Sequence, residues 1–316
     1  MTVTPWRVAP RQDRQDAVAA CDAPRPARAV RMGPLSWIAV TIASLVGVAA
    51  FAWPFLAEPG STAVAHAADA PWIFAAVVPL VLIVVLAQLA DGGMDAKSIA
   101  MLGVLTAVVC VLRPLGAGTA GLEPIWFILV LGGRALGPGF GFSLGALSLA
   151  ASALITGGVG PWLPFQMLAA AWVGLGAGLL PPARGRAEIA MTAAYGAVAA
   201  LAYGLLMNLW FWPFIGGLAV SGYGTGLAFV PGAPVSENLV RWLLFSAATS
   251  WGFDIPRAVL TATLIAVIGR PVLNALGRAG RRAAFRPAVA FPTPAPTPAP
   301  TPAPTHAPTP GPGRST

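Results

Sequence analysis

Charged residues are scarce in this sequence, and their scarcity decides the class of protein. Only 9% of the 316 residues are Asp, Glu, Lys or Arg, whereas 57% are hydrophobic and the mean hydropathy is +0.75. A soluble domain carries about 25% charged residues, so this composition excludes the surface of a soluble protein. The sequence therefore predicts an all-α, polytopic membrane protein.

Cysteine and histidine are nearly absent, with two residues of each in the whole chain. Cys21 follows a short Val-Ala-Ala stretch that resembles a lipoprotein cleavage box, but no apolar segment precedes it. Cys110 lies inside a predicted membrane span. The two histidines, His66 and His306, both lie outside the predicted spans. We therefore expect no disulfide, no metal site and no cofactor.

The groups that membrane enzymes need are also missing from the predicted spans. The predicted spans contain no histidine and no Asp-x-x-Asp pair. The chain also has no Gly-x-x-x-x-Gly-Lys-Ser/Thr phosphate loop. Hydrolysis or group transfer needs a nucleophile with a base, or a metal cluster. A channel would need polar rings or stripes along several helices. We expect a protein that is not an enzyme, with a membrane enzyme and a structural or assembly partner as the alternatives.

Eight apolar segments approach the length of about 20 residues that a bilayer span requires. They are 35–57, 72–90, 98–113, 124–136, 139–156, 162–181, 188–212 and one within 239–277. The last region is either one kinked span or a surface helix over 236–251 followed by a span over 254–277. Asp254 as an N-cap with Pro256 in the first turn favours the second interpretation.

Two segments flank these spans and predict no packed structure. Residues 1–33 form a basic arm without apolar periodicity, and residues 286–316 form a Pro/Thr/Ala-rich tail with the repeat "TPAPTPAPTPAPT". Such a tail adopts polyproline II or coil. The predicted organisation is thus a disordered arm at 1–33, two transmembrane helices within 34–92, a membrane domain at 97–285 and a disordered tail at 286–316.

The positive charges alternate between the two sides of the predicted membrane protein. Loops that carry no Lys or Arg, at 58–71, 157–161 and 214–235, alternate with basic segments at the arm, Lys97, Arg134, Arg184 with Arg186, and 270–286. Only Arg113, Arg241 and Arg257 fall on the other side, at the ends of spans. Because basic residues concentrate in cytoplasmic loops, the pattern places both termini in the cytoplasm of a multi-pass cell-membrane protein. This placement explains the net charge of +8 without nucleic-acid binding.

Polar and aromatic residues collect at the opposite, outer side of the predicted spans. The stretch "GGVGPWLPFQM" at 157–167 joins two spans there, with glycines for a tight turn and prolines for the first turn of the next helix. An apolar, aromatic mouth with a few polar groups is typical of a small-molecule site, although these residues could also pair with each other. The candidate substrate-binding residues are Arg113, Glu123, Trp126, Trp162, Gln166, Asn208, Trp212 and Asp254.

A stripe of small residues lies on one face of the span at 98–113. It consists of Ala100, Gly103 and Ala107, with the last two in small-xxx-small spacing. Small residues permit close contact between helices in membranes. The partner is another helix of this chain or a separate subunit.

From about residue 97 to 285 the sequence resembles the substrate-binding S component of energy-coupling factor (ECF) vitamin transporters of the actinobacterial type. The blocks that carry the resemblance are "KSIAMLGVLTAVVCVLRPLG", "GPWLPFQM" with "GLGAGLLP", "MNLWFWPF", "ENLVRWLLFSAATSWGFDIPRAV" and "IGRPVLNAL". The spans 35–57 and 72–90 and the Pro-rich tail lie outside the family pattern.

The resemblance implies a six-helix membrane domain that binds a vitamin or a vitamin precursor at the extracellular side. It also implies docking on a transmembrane T component that is driven by two cytoplasmic ATPases. The stripe of Ala100, Gly103 and Ala107 would face the T component, and the loops at 113–123, 157–161 and 213–253 would line the site. Cobalamin, a cobalamin precursor or another vitamin are all compatible, and the Trp-rich mouth favours a large or aromatic compound.

Overall fold

The computed structural model of the protein describes residues 32–56, 77–91, 94–116, 121–214 and 226–284, and this part of the chain contains helices and no strands. The α-helices are α1 (Pro34–Leu56), α2 (Val77–Ala90), α3 (Ala96–Leu112), α4 (Trp126–Leu136), α5 (Pro138–Thr156), α6 (Leu163–Leu179), α7 (Gly185–Phe211), α8 (Val235–Thr249) and α9 (Trp251–Ala284). Short 3-10 helices, Arg113–Gly116 and Trp212–Phe214, extend α3 and α7.

Five of these helices are long and apolar enough to cross a membrane. They are α1, α3 with its 3-10 extension, α5, α7 with its extension, and α9. Helices α4 and α6 are apolar but shorter, with 11 and 17 residues. The structure thus confirms an all-helical protein of the membrane type. The predicted arm up to residue 31, the loop 58–71, much of the loop 214–235 and the tail 286–316 lie outside the described residues.

Helices α4, α5 and α6 form the centre of the bundle because glycines let their backbones touch. A Cβ atom on Gly141 or Gly133 would collide with the carbonyl oxygen of Gly174, and one on Gly145 would collide with that of Ala170. Such close approach is how helices associate in membranes, where dispersion contacts replace the hydrophobic effect. Most of α5 is consequently buried.

The two N-terminal helices pack directly against this centre. The Trp172 indole N–H on α6 donates to the Ser44 hydroxyl of α1 over 3.0 Å, and Phe51 meets Phe165 edge-on at a centroid distance of 5.0 Å. From α2, the Gln88 side-chain carbonyl accepts a hydrogen bond of 3.1 Å from Ser143 on α5. Helices α1 and α2 are therefore integral parts of the helical bundle.

Helix α3 begins with a side-chain cap. The Asp95 carboxylate accepts a 2.8 Å hydrogen bond from the backbone N–H of Ser98, which lowers the pKa of this carboxyl below its ordinary value. The cap satisfies one of the amide groups that a helix start leaves unpaired. The cap therefore fixes the start of α3, the helix that carries the small-residue stripe.

The region after residue 235 contains two helices that meet at Ser250, as the second interpretation of the sequence proposed. The expectation that Asp254 caps the last span is wrong. The Ser250 carbonyl accepts from the N–H groups of both Phe253 and Asp254 at 2.8 Å, so α9 begins one turn earlier, at Trp251. Asp254 lies within the first turn, and its carboxylate binds a side chain on the same helix.

Candidate functional site

The connections after α3, α5 and α7 and the junction of α8 with α9 meet at one end of the bundle. We call this the loop end, and define it by residues 113–116, 121–126, 157–166, 208–214 and 226–257. Side-chain contacts hold it together: Arg113 reaches Gln166, and Asn208 reaches Ser250. At the opposite end the connections are short, and the Arg134 guanidinium donates to the Leu180 carbonyl and pairs with Glu188. All eight candidate residues from the sequence lie at or near the loop end.

The turn between α5 and α6 has part of the geometry that its glycines and prolines predict. Gly157 ends α5 in the left-handed region at φ +66°, and Pro164 lies in the first turn of α6. Pro161, which was expected in that first turn as well, lies before the helix, in the turn that the Leu163 N–H closes by donating to the Gly160 carbonyl at 2.9 Å. The Trp162 indole N–H donates to the Gly158 carbonyl over 3.1 Å, and its ring meets Trp210 edge-on at 6.3 Å. Trp162 is still 38% exposed, so part of this residue remains uncovered by the rest of the described chain.

The first polar group of the loop end, which we call the Arg113 cluster, comprises Arg113, Ser152 and Gln166. The Arg113 guanidinium, at the end of α3, donates to the Ser152 hydroxyl at 2.8 Å and to the Leu149 carbonyl at 3.3 Å through Nη1. Through Nη2 it donates to the Gln166 carbonyl oxygen at 3.0 Å. Arg113 and Gln166 are both half-buried. Gln166 therefore has a protein partner, and it orients the guanidinium.

The second polar group, the Arg257 cluster, comprises Glu123, Trp126, Tyr203, Asp254 and Arg257. The Arg257 guanidinium donates to Asp254 at 2.6 Å and to Glu123 at 3.2 Å, and it lies 5.9 and 5.5 Å from the ring centroids of Trp126 and Tyr203. The Trp126 indole N–H donates to the same Glu123 oxygen at 2.9 Å. Four of these residues are buried, and only the Glu123 side chain remains 34% exposed.

Glycines make room for the Arg257 cluster. A Cβ atom on Gly204 would collide with the Asp254 carboxylate. Gly121 adopts φ +87°, where a side chain would meet the backbone of Phe253 at the start of α9. The chain before Glu123 is thus held against the helix that carries Asp254 and Arg257, which keeps the ion pairs in place.

The two clusters are neighbours through the short turn that follows α3. A Cβ atom on Gly116, three residues after Arg113, would lie 2.9 Å from Cγ of Glu123. The two clusters therefore meet at this turn.

Asn208 and Trp212 have structural partners at the loop end. The Asn208 amide donates to the Ser250 hydroxyl at 2.5 Å, which ties α7 to the junction of α8 and α9. The Trp212 indole is buried and donates to the Leu227 carbonyl at 2.8 Å, while its ring meets Phe229 and Phe55. These two residues hold the segment 226–250 in place over the end of α7.

The small-residue stripe of α3 faces outward. Ala100, Gly103 and Ala107 are all exposed, and a Cβ atom on Gly103 would meet nothing within 4 Å. The valines beside them are exposed too, Val104 by 64% and Val111 by 73%. No described helix covers this face.

The eight candidates from the sequence did not include Arg257, Tyr203 or Ser152, although the sequence places Arg257 among the polar residues at the outer side of the predicted spans. Arg257 stands three residues after Asp254 on a helix, and this spacing permits an ion pair. The sequence could therefore have indicated that Arg257 pairs with Asp254. Tyr203 and Ser152 lie within apolar spans, and nothing local distinguishes them from residues that only pack. Among the described residues, no three His, Cys, Asp or Glu side chains come together as a metal site.

Comparison of the chain with protein-family models, with curated proteins and with solved structures found no match.

Proposed function

We propose that this protein is a substrate-binding membrane subunit, the S component of an ECF-type importer, which captures a vitamin or vitamin precursor at its loop end. The observation that carries the proposal is the convergence of charged and aromatic side chains from α3, α4, α6, α7 and α9 at that end. Part of this group stays open, because Trp162 and Glu123 are more than a third exposed. A largely apolar site with few placed polar groups is typical of small-molecule binding.

Two buried tryptophans add support. The indole N–H groups of Trp210 and Trp242 have no hydrogen-bond partner within the described part of the chain. Buried polar groups are nearly always paired, so an unpaired donor calls for a specific reason. A ligand acceptor at the loop end would supply the missing partner.

The architecture that we propose has six core spans and two additional ones. Helices α3, α4, α5, α6, α7 and α9 form the core, and α1 and α2 complete it at the side of α5 and α6. Aromatic residues of α1 also reach the loop end, where Trp53 and Phe55 meet Phe229 and Trp242. Helix α1 would thereby support the segment next to the site.

The transport partners follow from the same proposal. The open stripe of Ala100, Gly103 and Ala107 would dock on a transmembrane T component, and two cytoplasmic ATPases would drive release of the ligand. The loop end would face the outside and both termini the cytoplasm, because most basic residues lie at the opposite end or in the terminal segments, and Arg113, Arg241 and Arg257 are the exceptions at the loop end. A corrinoid or a precursor of one is the favoured ligand, since the loop end is rich in tryptophan.

A membrane subunit without a ligand of its own is the second candidate. It is favoured by the Arg257 cluster, in which one guanidinium joins two carboxylates and two aromatic rings without any outside group. A closed network of this kind also serves a purely structural role.

One experiment separates the two candidates. The full-length protein is purified in mild detergent, denatured, and the released small molecules are identified by mass spectrometry beside an unrelated membrane protein prepared identically. We expect one compound in near-stoichiometric amount that the control lacks. If none is found, and no vitamin in a thermal-shift panel raises the melting temperature, the ligand-free subunit is the correct assignment.

A further inference from the structure

The three arginines of the loop end differ in how their charge is neutralised. Arg257 binds two carboxylates, and Arg241 lies 3.9 Å from Glu237 on the exposed face of α8. Arg113 has no carboxylate within salt-bridge distance among the described residues, and its acceptors are a carbonyl, a hydroxyl and an amide oxygen. Its positive charge is therefore half-buried without a direct counter-charge.

The hydrogen bonds of Arg113 also leave part of its guanidinium unused. A guanidinium has five N–H donors. Nη1 makes two bonds and Nη2 makes one, so the Nε donor and one Nη2 donor have no acceptor among the described residues. A planar guanidinium with free donors matches the two oxygens of a carboxylate or phosphate.

The neighbouring cluster limits the charge of such a ligand. Glu123 and Asp254 carry two negative charges and Arg257 carries one positive charge, so this cluster has a surplus of one negative charge. Glu123 packs against the turn that starts at Arg113. A ligand with several negative charges would be repelled there, whereas one acidic group would contact Arg113 alone.

We propose that Arg113, oriented by Gln166 and Ser152, is an anion subsite, and that the ligand is a small molecule with a single acidic group, a carboxylate or a phosphate monoanion. This inference rests on the proposed function, since it names the class of substrate for the same site. It predicts that the protein takes up an acid and discriminates against the corresponding amide. For corrinoids, this means a precursor with one free carboxylate in preference to its fully amidated form.

The test uses thermal shift and calorimetry on the full-length protein in detergent with matched acid and amide pairs. The probes are a corrinoid monocarboxylic acid and its amide, biotin and biotin amide, and nicotinate and nicotinamide. We expect one acid to bind at least about tenfold more tightly than its amide. Because a hydrogen bond to a charged group contributes roughly 1.5–3 kcal/mol, Arg113→Gln should weaken binding of that acid about 10- to 100-fold and change amide binding by less than about threefold.

Two further variants make the test specific. Gln166→Glu places a carboxylate where the amide oxygen already contacts Arg113, so it should raise the melting temperature and abolish the preference for the acid. The Gln166→Glu variant also tests the anion subsite if the Arg113→Gln variant does not fold. Arg241→Gln removes the same charge from the same end at an exposed ion pair and should leave acid binding unchanged.

The possible failures are distinguishable. If acid and amide bind equally, or if Arg113→Gln and Gln166→Glu keep the preference, the anion subsite is wrong and the proposed function stands. If only vesicles or micelles with an anionic phospholipid stabilise the protein, in an Arg113-dependent manner, Arg113 binds lipid headgroups and the inference is overturned. If no probe binds and no compound copurifies, both the inference and the proposed function fail.

Discussion

At the scale of single residues, the loop end contains two arginines whose charges are accommodated in different ways. Arg257 is buried with its counter-charges, so its role in the described structure is to join α9 to the start of α4. Arg113 is half-buried with neutral partners and keeps unused donors. Burying a charge without a partner is costly, so the first arrangement supports stability, and the second is the one that we propose binds the ligand.

Loss of the Arg257 guanidinium should therefore destabilise the protein strongly. Arg257→Met has a similar volume but leaves the buried Asp254 and the partly exposed Glu123 without their partner. Removing one member of a buried pair costs roughly 3–5 kcal/mol, and the Asp254 pair is the buried one. The measurement is reversible unfolding in mixed detergent micelles, followed by tryptophan fluorescence. Adding Asp254→Asn and Glu123→Gln to the same chain should recover most of the loss.

The matched control is Arg241→Met at the exposed pair with Glu237, which should cost at most about 1 kcal/mol. Equal losses for Arg257→Met and Arg241→Met would show that the buried cluster does not hold α4 and α9 together.

At the scale of helices, much of the order could be predicted because the apolar runs are separated by glycine, proline and charge. For α4 to α7 the predicted bounds differ from the observed ones by at most three residues. The N-cap at Asp254 was misplaced because the preceding Ser250 carbonyl already accepts the first bonds of α9. Local sequence shows which residues can cap, but the path of the chain from α8 decides which one does.

The site was predictable only in part, for a related reason. Glu123, Trp126 and Asp254 were predicted as site residues because they stand at the outer ends of predicted spans, where polar and aromatic residues collect. Tyr203 was missed because it lies within the apolar sequence of α7, and only the packing of α7 against α4 and α9 brings it to Arg257. Convergence between helices far apart in sequence leaves no local signal.

The open face of α3 carries a prediction about docking. Replacing Gly103 and Ala107 together by Leu should block close approach of another helix while leaving the loop end intact, because both side chains point away from the described helices. We expect ligand binding by the purified variant to be retained and vitamin uptake by cells that contain the transport partners to fall at least about tenfold.

The control for this helix is Ala194→Leu, which adds the same bulk at an exposed alanine on α7. Uptake that survives the double replacement in α3, or that falls equally with Ala194→Leu, would exclude the stripe as the docking face.

At the scale of the whole molecule, the bundle has two chemically different ends. The loop end holds both polar clusters and the open tryptophan, whereas the opposite end has short connections and exposed basic residues such as Arg184 and Arg186. The proposed importer subunit would need this polarity, because its ligand site would face the outside while its energising partners would act from the cytoplasm. Under that proposal, the polarity would link the site to the direction of transport.

Orientation in the membrane is the last prediction, and it tests this polarity directly. Basic residues remain on the cytoplasmic side during insertion, so the end with Arg184 should be inside and the loop end outside. In a chain without Cys21 and Cys110, Ser236→Cys at the exposed start of α8 should react with a membrane-impermeant maleimide in intact cells. Arg184→Cys, also at an exposed position, should react only after permeabilisation. The reverse pattern would place the loop end in the cytoplasm, where a site for an extracellular vitamin has no use, and the importer proposal would have to be abandoned even if a ligand copurified.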